Sequence, residues 1–182
     1  MKRRLWPAFV MGAAFFTSSA GADTAVPPGY RQVATAHGIP PKIFYAMALT
    51  ESGRYIERQG IARPWPWTLN VHGEGGYYPT RNTAAAALQE ALSRGKDSVD
   101  IGLMQVNWRY HGKTLRSPEA ALDPYRNLKV AAAILVRCYR ERRDWWAAVG
   151  CYHAPNHALR AQRYQERVRR HWKTLQPTES AG

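Results

Sequence analysis

Apolar positions along this chain recur mainly with a helical period. Apolar residues at steps of three and four follow Pro40-Pro41 and predict a helix that ends near Gly53. The same periodicity, with its capping residues, predicts further helices at 27–36, 80–94, 118–143, 145–151 and 158–175. The most apolar run after residue 25, at 130–136, predicts a buried central helix.

One region has a different pattern. Residues 68–71 and 76–78 flank a glycine-containing stretch at 72–75, which predicts a β-hairpin. The segment 100–107 predicts a turn that enters a short helix or an extended segment. Because one small β element stands among many helices, the predicted fold class is α+β, predominantly α.

The first 22 residues have the composition of an export signal. A basic start at 2–4 precedes an apolar run at 5–16 and a small-residue end at 20–22. A run of about a dozen residues is too short to span a bilayer comfortably. We therefore expect cleavage after Ala22, a periplasmic protein without stable membrane insertion, one domain over 23–177 and a disordered tail over 178–182.

The chain is strongly basic, with 26 Lys and Arg against 13 Asp and Glu and a net charge of +13. Such a balance is typical of nucleic-acid binding, but an exported protein rarely meets nucleic acid. We expect no nucleic-acid partner and favour anionic polymers outside the cytoplasm, such as cell-wall glycan that carries peptide carboxylates. Many basic residues lie in the last predicted helix, which we expect to present a solvated face.

The two cysteines are Cys138 and Cys151. An even count in an exported chain favours a disulfide over two buried thiols. Neither cysteine belongs to a set of His and Cys residues with the spacing of a zinc site, so no metal is expected.

Glu51 is the best candidate for a catalytic residue. It follows Phe44, Met47 and Ala48 at steps of three and four, so it shares a helix face with apolar residues. Apolar surroundings and the C-terminal end of a helix both raise the pKa of a carboxyl group, which suits a general acid that works near neutral pH. The alternative is an ordinary solvated glutamate at a helix end.

Four motifs follow one another along the chain: Glu51-Ser52-Gly53, Gly102-Leu103-Met104-Gln105-Val106-Asn107, Asn127-Leu128 and Tyr152. Taken in this order, they resemble those of soluble lytic transglycosylases, and especially the small members associated with secretion and conjugation machines. The resemblance covers roughly 39–156. It implies a lysozyme-like fold with an SLT domain and cleavage of peptidoglycan glycan strands between N-acetylmuramic acid and N-acetylglucosamine. It also implies a 1,6-anhydromuramyl product and no cofactor.

Carried over residue by residue, the resemblance makes Glu51 the single catalytic acid and base. It places Gly102, Leu103, Met104 and Gln105 in the cleft wall opposite Glu51. Tyr152 matches the tyrosine of an Ala-Tyr-Asn motif whose asparagine is His153 here, and Pro155 stands where a glycine is usual. The remaining residues expected to bind substrate are Ser52, Asn107 and His153.

Glycosidases normally use two carboxylates, but the anhydro-forming reaction can use one. Glu51 would protonate the leaving oxygen and then deprotonate the C6 hydroxyl, which attacks within the same sugar residue. Asp97 and Asp100 are candidates for a second carboxylate, although turn and cap roles are simpler. A second carboxylate across a water-sized gap would favour a lysozyme-type hydrolase. The remaining alternative is a non-catalytic wall-binding subunit of a transenvelope complex.

Overall fold

The protein is described here from a computed structural model, which covers residues 26–175. The helices of this region are α1 (Pro28–Ala36), α2 (Pro41–Ser52), α3 (Arg81–Ser93), α4 (Trp108–Leu115), α5 (Pro118–Ala121), α6 (Pro124–Arg142), α7 (Trp145–His153) and α8 (Ala158–Thr174). Its strands are β1 (Gly53–Ile56), β2 (Ile61–Pro64), β3 (Thr68–Val71), β4 (Glu74–Tyr77), β5 (Val99–Ile101) and β6 (Val106–Asn107). The predicted class, α+β and predominantly α, is confirmed. The predicted export signal over 1–22 and the tail over 178–182 lie outside the described residues.

Helix α2 forms the centre of the fold. Residues 43–49 are all buried, so the helix is enclosed on every side. It packs against α1, α8 and the strands β1 and β2. Glu51 therefore lies in the last turn of a buried helix that other elements hold on several sides.

Helix α6, predicted to be the buried central helix, has one exposed side. Val130, Ala131, Ala132 and Leu135 are buried, whereas Ala133 is exposed to solvent. The prediction of burial was right for one face and wrong for the other, because an apolar run of small residues can tolerate solvent on one side. The central position belongs to α2.

The strands form two separate antiparallel sheets. One is the pair β1 and β2, and the other has the order β4-β3-β5-β6. The predicted hairpin is confirmed as β3 and β4, and its turn is His72-Gly73, where both residues have positive φ (52° and 96°). The prediction of a single β element was wrong. Strands β5 and β6 are three and two residues long, too short to show alternation, and β1 and β2 are largely exposed.

Two helix starts follow the predicted capping chemistry. The side chain of Thr80 accepts a hydrogen bond from the backbone N–H of Thr83 at 3.2 Å, and Asp144 accepts one from Ala147 at 2.7 Å. Across residues 26–175, no helix combines the length and apolar character needed to cross a bilayer.

Candidate active site

Glu51 lies in the last turn of α2 and lines a cleft with a volume of about 1220 Å³. The helix ends at Gly53, but this glycine is not left-handed, since its φ is −60° and its ψ is 120°. A Cβ atom at Gly53 would collide with the carbonyl oxygen of Leu49. Glycine is required there because the chain turns sharply into β1 immediately after the carboxylate.

The carboxylate of Glu51 is held by Tyr164. The Tyr164 hydroxyl donates a hydrogen bond of 2.6 Å to Oε1 of Glu51. Tyr164 is fully buried, and the His153 ring stacks on it with 4.4 Å between centroids and 4° between planes. Burial and the charge of Glu51 raise the pKa of Tyr164, so its hydroxyl remains a donor over the physiological range.

Sequence reasoning missed Tyr164, which lies 113 residues from Glu51 in the chain. It treated the last helix as a solvated basic face, whereas α8 packs against α2 and α7. The available signal was the pair Tyr164 and Val168, two apolar residues four apart among arginines, and both are buried.

The pKa of Glu51 is raised from 4.5 to about 8. Burial is the largest cause, and the charge of Asp100 raises the pKa further, whereas the Tyr164 hydrogen bond and the charge of Arg167 lower it. The carboxyl group is therefore mainly protonated at neutral pH, although it lines the cleft. This protonation state is the one that a general acid needs.

A tight turn between β5 and β6 supports the end of α2. Gly102 has a φ of 77°, and a Cβ there would lie 2.8 Å from the side chain of Asn127. The amide of Asn127 donates to the carbonyl of Ile101 at 2.8 Å and accepts from the N–H of Met104 at 2.9 Å. The buried Asn127 thus fixes this turn from α6.

The side chain of Ser52 also binds the turn between β5 and β6. Its hydroxyl donates to the carbonyl of Leu103 at 2.8 Å, which ties the residue after Glu51 to the turn. Four of the residues predicted to bind substrate are buried and are not among the residues that line the cleft; they are Ser52, Gly102, Leu103 and Met104. Their contacts position the cleft wall.

The other four predicted binding residues line the cleft together with Glu51; they are Gln105, Asn107, Tyr152 and His153. The hydroxyl of Tyr152 donates to the carbonyl of Met104 at 2.7 Å, so this tyrosine is fixed against the turn. The backbone of Gln105 has a φ of 47°, and its side-chain amide donates to the carbonyl of Gly102 at 3.0 Å. The same amide group donates to the carbonyl of Thr68 at 3.2 Å.

A polar row crosses the sheet at the cleft floor. Asn70 on β3, Asp100 on β5 and Asn107 on β6 are direct partners in the strand register. The amide of Asn107 donates to the carboxylate of Asp100 at 2.8 Å, while the amide oxygens of Asn70 and Asn107 are buried without a partner. Burial raises the pKa of Asp100. Buried unpaired acceptors in a cleft fit substrate N–H or hydroxyl donors.

Of the two candidates for a second carboxylate, only Asp100 lines the cleft. Asp97 binds Arg109 in an exposed ion pair at 2.7 Å and does not line the cleft. Asp100 does line it, and its charge acts on Glu51. Among the described residues of the sheet, Asp100 is therefore the carboxylate that lines the cleft together with Glu51.

Cys138 and Cys151 are joined in a disulfide that links α6 to α7, and both line the cleft. The bridge places α7, with Tyr152 and His153, against α6. In the described region no three side chains among His, Cys, Asp and Glu are grouped to hold a metal ion.

Comparison with known proteins agrees with this architecture. The family model for the transglycosylase SLT domain matches residues 76–175, more than half of the 182-residue chain. The match includes the turn at Gly102, the wall at Tyr152 and the buried Tyr164, whereas Glu51 precedes it. No curated protein and no solved structure matches the chain.

Proposed function

We propose that this chain, which belongs to the transglycosylase SLT domain family, uses Glu51 to cleave glycan strands with formation of a 1,6-anhydromuramyl end. Members of the family are lytic transglycosylases, which cleave the glycosidic bonds of peptidoglycan without hydrolysis. The bond that we propose is the β-1,4 bond between N-acetylmuramic acid and N-acetylglucosamine. The observation that carries the proposal is a largely protonated Glu51 carboxyl group that lines the cleft and is bound by Tyr164 at 2.6 Å.

The first step uses Glu51 as an acid. Its raised pKa keeps the proton available at neutral pH for the leaving glycosidic oxygen. As the bond breaks, Glu51 becomes a carboxylate in partly buried surroundings. The Tyr164 hydroxyl and the nearby charge of Arg167 both favour that ionised form.

The second step uses the same carboxylate as a base. It accepts the proton of the C6 hydroxyl, whose oxygen attacks the anomeric carbon of the same sugar residue and closes the anhydro ring. Because the nucleophile is already attached, it has the high effective concentration of an intramolecular reaction. The proton that Glu51 gave to the leaving group is thereby replaced, and the enzyme returns to its starting state.

Asp100 provides the specific observation in favour of a second candidate, a hydrolytic muramidase. It lines the same cleft and raises the pKa of Glu51 through its charge. A carboxylate in that position could activate water or stabilise the sugar cation. We favour the single-carboxylate route because Asp100 is held in a hydrogen bond by Asn107 and family membership supports cleavage without water.

Product mass distinguishes the two reactions. The purified protein, with Glu51→Gln as the control for contaminating enzymes, would be incubated with peptidoglycan sacculi, and the released muropeptides would be measured by mass spectrometry. The proposal predicts anhydromuramyl ends with the wild type and none with Glu51→Gln. Reducing ends, heavier by one water, would assign hydrolysis instead.

We further propose that the protein acts in the periplasm and opens the wall locally for a secretion or conjugation apparatus. The support is the resemblance of the motif order to the small lytic transglycosylases associated with such machines. A strain that carries Glu51→Gln should then export substrate or transfer DNA less efficiently than its parent. Unchanged transfer would separate the enzyme from such an apparatus.

A further inference from the structure

The wall of the cleft formed by α7 and α8 is cationic. Arg160 and Arg167 on α8 line it, together with His153 and His157. Between Cys151 and Arg167, no acidic residue lines the cleft. Glu166, the acidic residue of α8, lies outside the lining and is hydrogen-bonded to Gln162 at 3.3 Å. This wall therefore presents positive charge to whatever occupies the cleft.

The two arginines are placed on one face of α8 with Tyr164. The steps from Arg160 to Tyr164 and on to Arg167 are four and three residues, so the three side chains follow one stripe of the helix. Tyr164 is bound to Glu51, and Arg167 lies over the Tyr164 ring at 5.3 Å. The charges therefore lie on either side of the tyrosine that holds the catalytic carboxyl group.

Neither arginine forms an ion pair or a hydrogen bond with a carboxylate among the described residues, although the charge of Arg167 acts on Glu51. The ion pairs that join two described residues are those of Arg94 with Glu90 and of Arg109 with Asp97. Arg160 and Arg167 are both exposed to solvent. Their guanidinium groups thus keep their hydrogen-bonding capacity for a ligand carboxylate, which such a group can bind in a bidentate manner.

The acidic residues of the cleft lie elsewhere. Apart from Glu51, they are Asp100 on β5, which accepts a hydrogen bond from Asn107, and Glu141 on α6. An anionic group that entered along α8 would meet arginines first. A neutral sugar needs no such wall, because hydroxyl and acetamido groups can be bound by amides like those of Asn70 and Asn107.

We propose, on the basis of the function proposed above, that the α8 wall at Arg160 and Arg167 is a subsite for the carboxylates of the stem peptide on muramic acid. The enzyme then selects strands that carry peptides over strands from which the peptides have been removed. The glycan backbone contributes no carboxylate apart from the lactyl group of muramic acid. The stem peptide adds several, on a flexible arm that extends from the sugar to the cleft wall.

Three substrates test this inference. They are native sacculi, sacculi whose carboxyl groups have been converted to amides, and glycan strands freed of peptide by an amidase, which retain only the lactyl carboxylate. The variants are Arg160→Gln and Arg160→Gln/Arg167→Gln. Arg163→Gln/Arg170→Gln is the matched control, since it has the same seven-residue spacing on α8 but lies outside the cleft lining.

The wild type should cleave native sacculi about three- to tenfold more efficiently than either modified substrate, with the difference mainly in KM. Arg160→Gln should reduce that preference, and the double variant should abolish it, while the control keeps it. Arg160→Gln is the cleaner variant because Arg167 also influences the pKa of Glu51.

Equal cleavage of native and amidated sacculi by the wild type would overturn the inference. An equal loss of preference in the control would also overturn it, because bulk charge would then explain the effect. If strands freed of peptide were cleaved as well as native sacculi, the arginines would bind the lactyl carboxylate and not the stem peptide. If no anhydro product formed at all, the proposed function would fail. Binding of Glu51→Gln to native and amidated sacculi in a sedimentation assay would then still decide the inference.

Discussion

At the scale of single residues, the carboxyl group of Glu51 is subject to opposing influences. Burial and Asp100 favour its protonated form, whereas Tyr164 and Arg167 favour the carboxylate. A group that must give and then take the same proton works best when neither form is strongly preferred near the working pH. The pKa of about 8 reflects this balance.

The pH dependence of activity should follow from this pKa. Since the first step requires protonated Glu51, kcat/KM should decline as the pH rises through about 8. A glutamate with its ordinary pKa of 4.5 would place that decline more than three pH units lower. Initial rates of muropeptide release between pH 5 and pH 10 measure it, and a decline centred near pH 5 would contradict the assignment.

The same pKa shift predicts how stability depends on pH. The folded chain holds a proton on Glu51 that the unfolded chain releases above pH 4.5. The resulting stability is complete below that pH and is lost as the pH rises through about 8. Glu51→Gln, which cannot ionise, should therefore gain in melting temperature relative to the wild type at pH 9 but not at pH 4. A melting-temperature difference that is independent of pH would show that Glu51 titrates normally.

Tyr164→Phe tests the bond to Glu51. The change removes one donor but keeps the buried ring, so we expect activity to fall about tenfold or more, as when a hydrogen bond to a charged group is lost. The pKa of Glu51 should rise further, which moves the alkaline limb of the pH profile upward. Tyr152→Phe is the control. It removes the hydroxyl that donates to the carbonyl of Met104 and should leave this limb in place. An unmoved limb in Tyr164→Phe would refute the role.

At the scale of elements, the site depends on how α2, α6 and the β5–β6 turn are fastened together. Ser52 on α2 and Asn127 on α6 both bond the backbone of the turn. These are buried polar contacts, which cost stability when one partner is lost. The turn thereby keeps a fixed position relative to Glu51.

Asn127→Ala should therefore destabilise the fold by about 2–3 kcal/mol, because it leaves the carbonyl of Ile101 and the N–H of Met104 buried without partners. Urea unfolding measures the loss. Asn82→Ala, at an exposed position on α3, is the control and should change stability little. Equal stability of the two variants would show that the hydrogen bonds of Asn127 to the turn do not stabilise the fold.

The disulfide gives a second prediction at this scale. It closes a loop with a sequence separation of 13 between α6 and α7. Replacing both Cys138 and Cys151 with alanine should cost about 2–4 kcal/mol of stability. The cleft wall at Tyr152 should become more mobile, which hydrogen exchange of α7 would detect. Unchanged exchange would mean that helix packing alone fixes this wall.

Sequence reasoning predicted the helices well because their caps and periodicity are local signals. Asp144 and Thr80 mark helix starts, and Pro40-Pro41 opens α2. It did not predict β1, β2, β5 and β6, since very short strands are defined by their pairing partners and not by their own pattern. The predicted end of α2 at Gly53 was right, but its cause is a close approach to Leu49 and not a left-handed glycine.

At the scale of the whole molecule, the cleft is assembled from parts distant in the chain. Glu51 comes from α2, Asp100 and Asn107 from the sheet, and Tyr164 from α8. The sequence indicated Glu51 and the motif around Gly102 because these are contiguous. It could not show that Ser52 and Met104 face inward or that Tyr164 reaches Glu51, because both facts depend on tertiary packing. The cationic α8 wall was likewise visible in the sequence only as charge.

The most direct test of the account compares Glu51→Gln with Asp100→Asn on native sacculi, with anhydromuropeptides counted by mass spectrometry. The rate of Glu51→Gln should be at least about a hundredfold lower than that of the wild type, because glutamine can neither donate nor accept the proton. Asp100→Asn should still release anhydro ends, at a reduced rate. Anhydro ends released by Glu51→Gln at a rate near that of the wild type would contradict the claim that Glu51 is both the acid and the base.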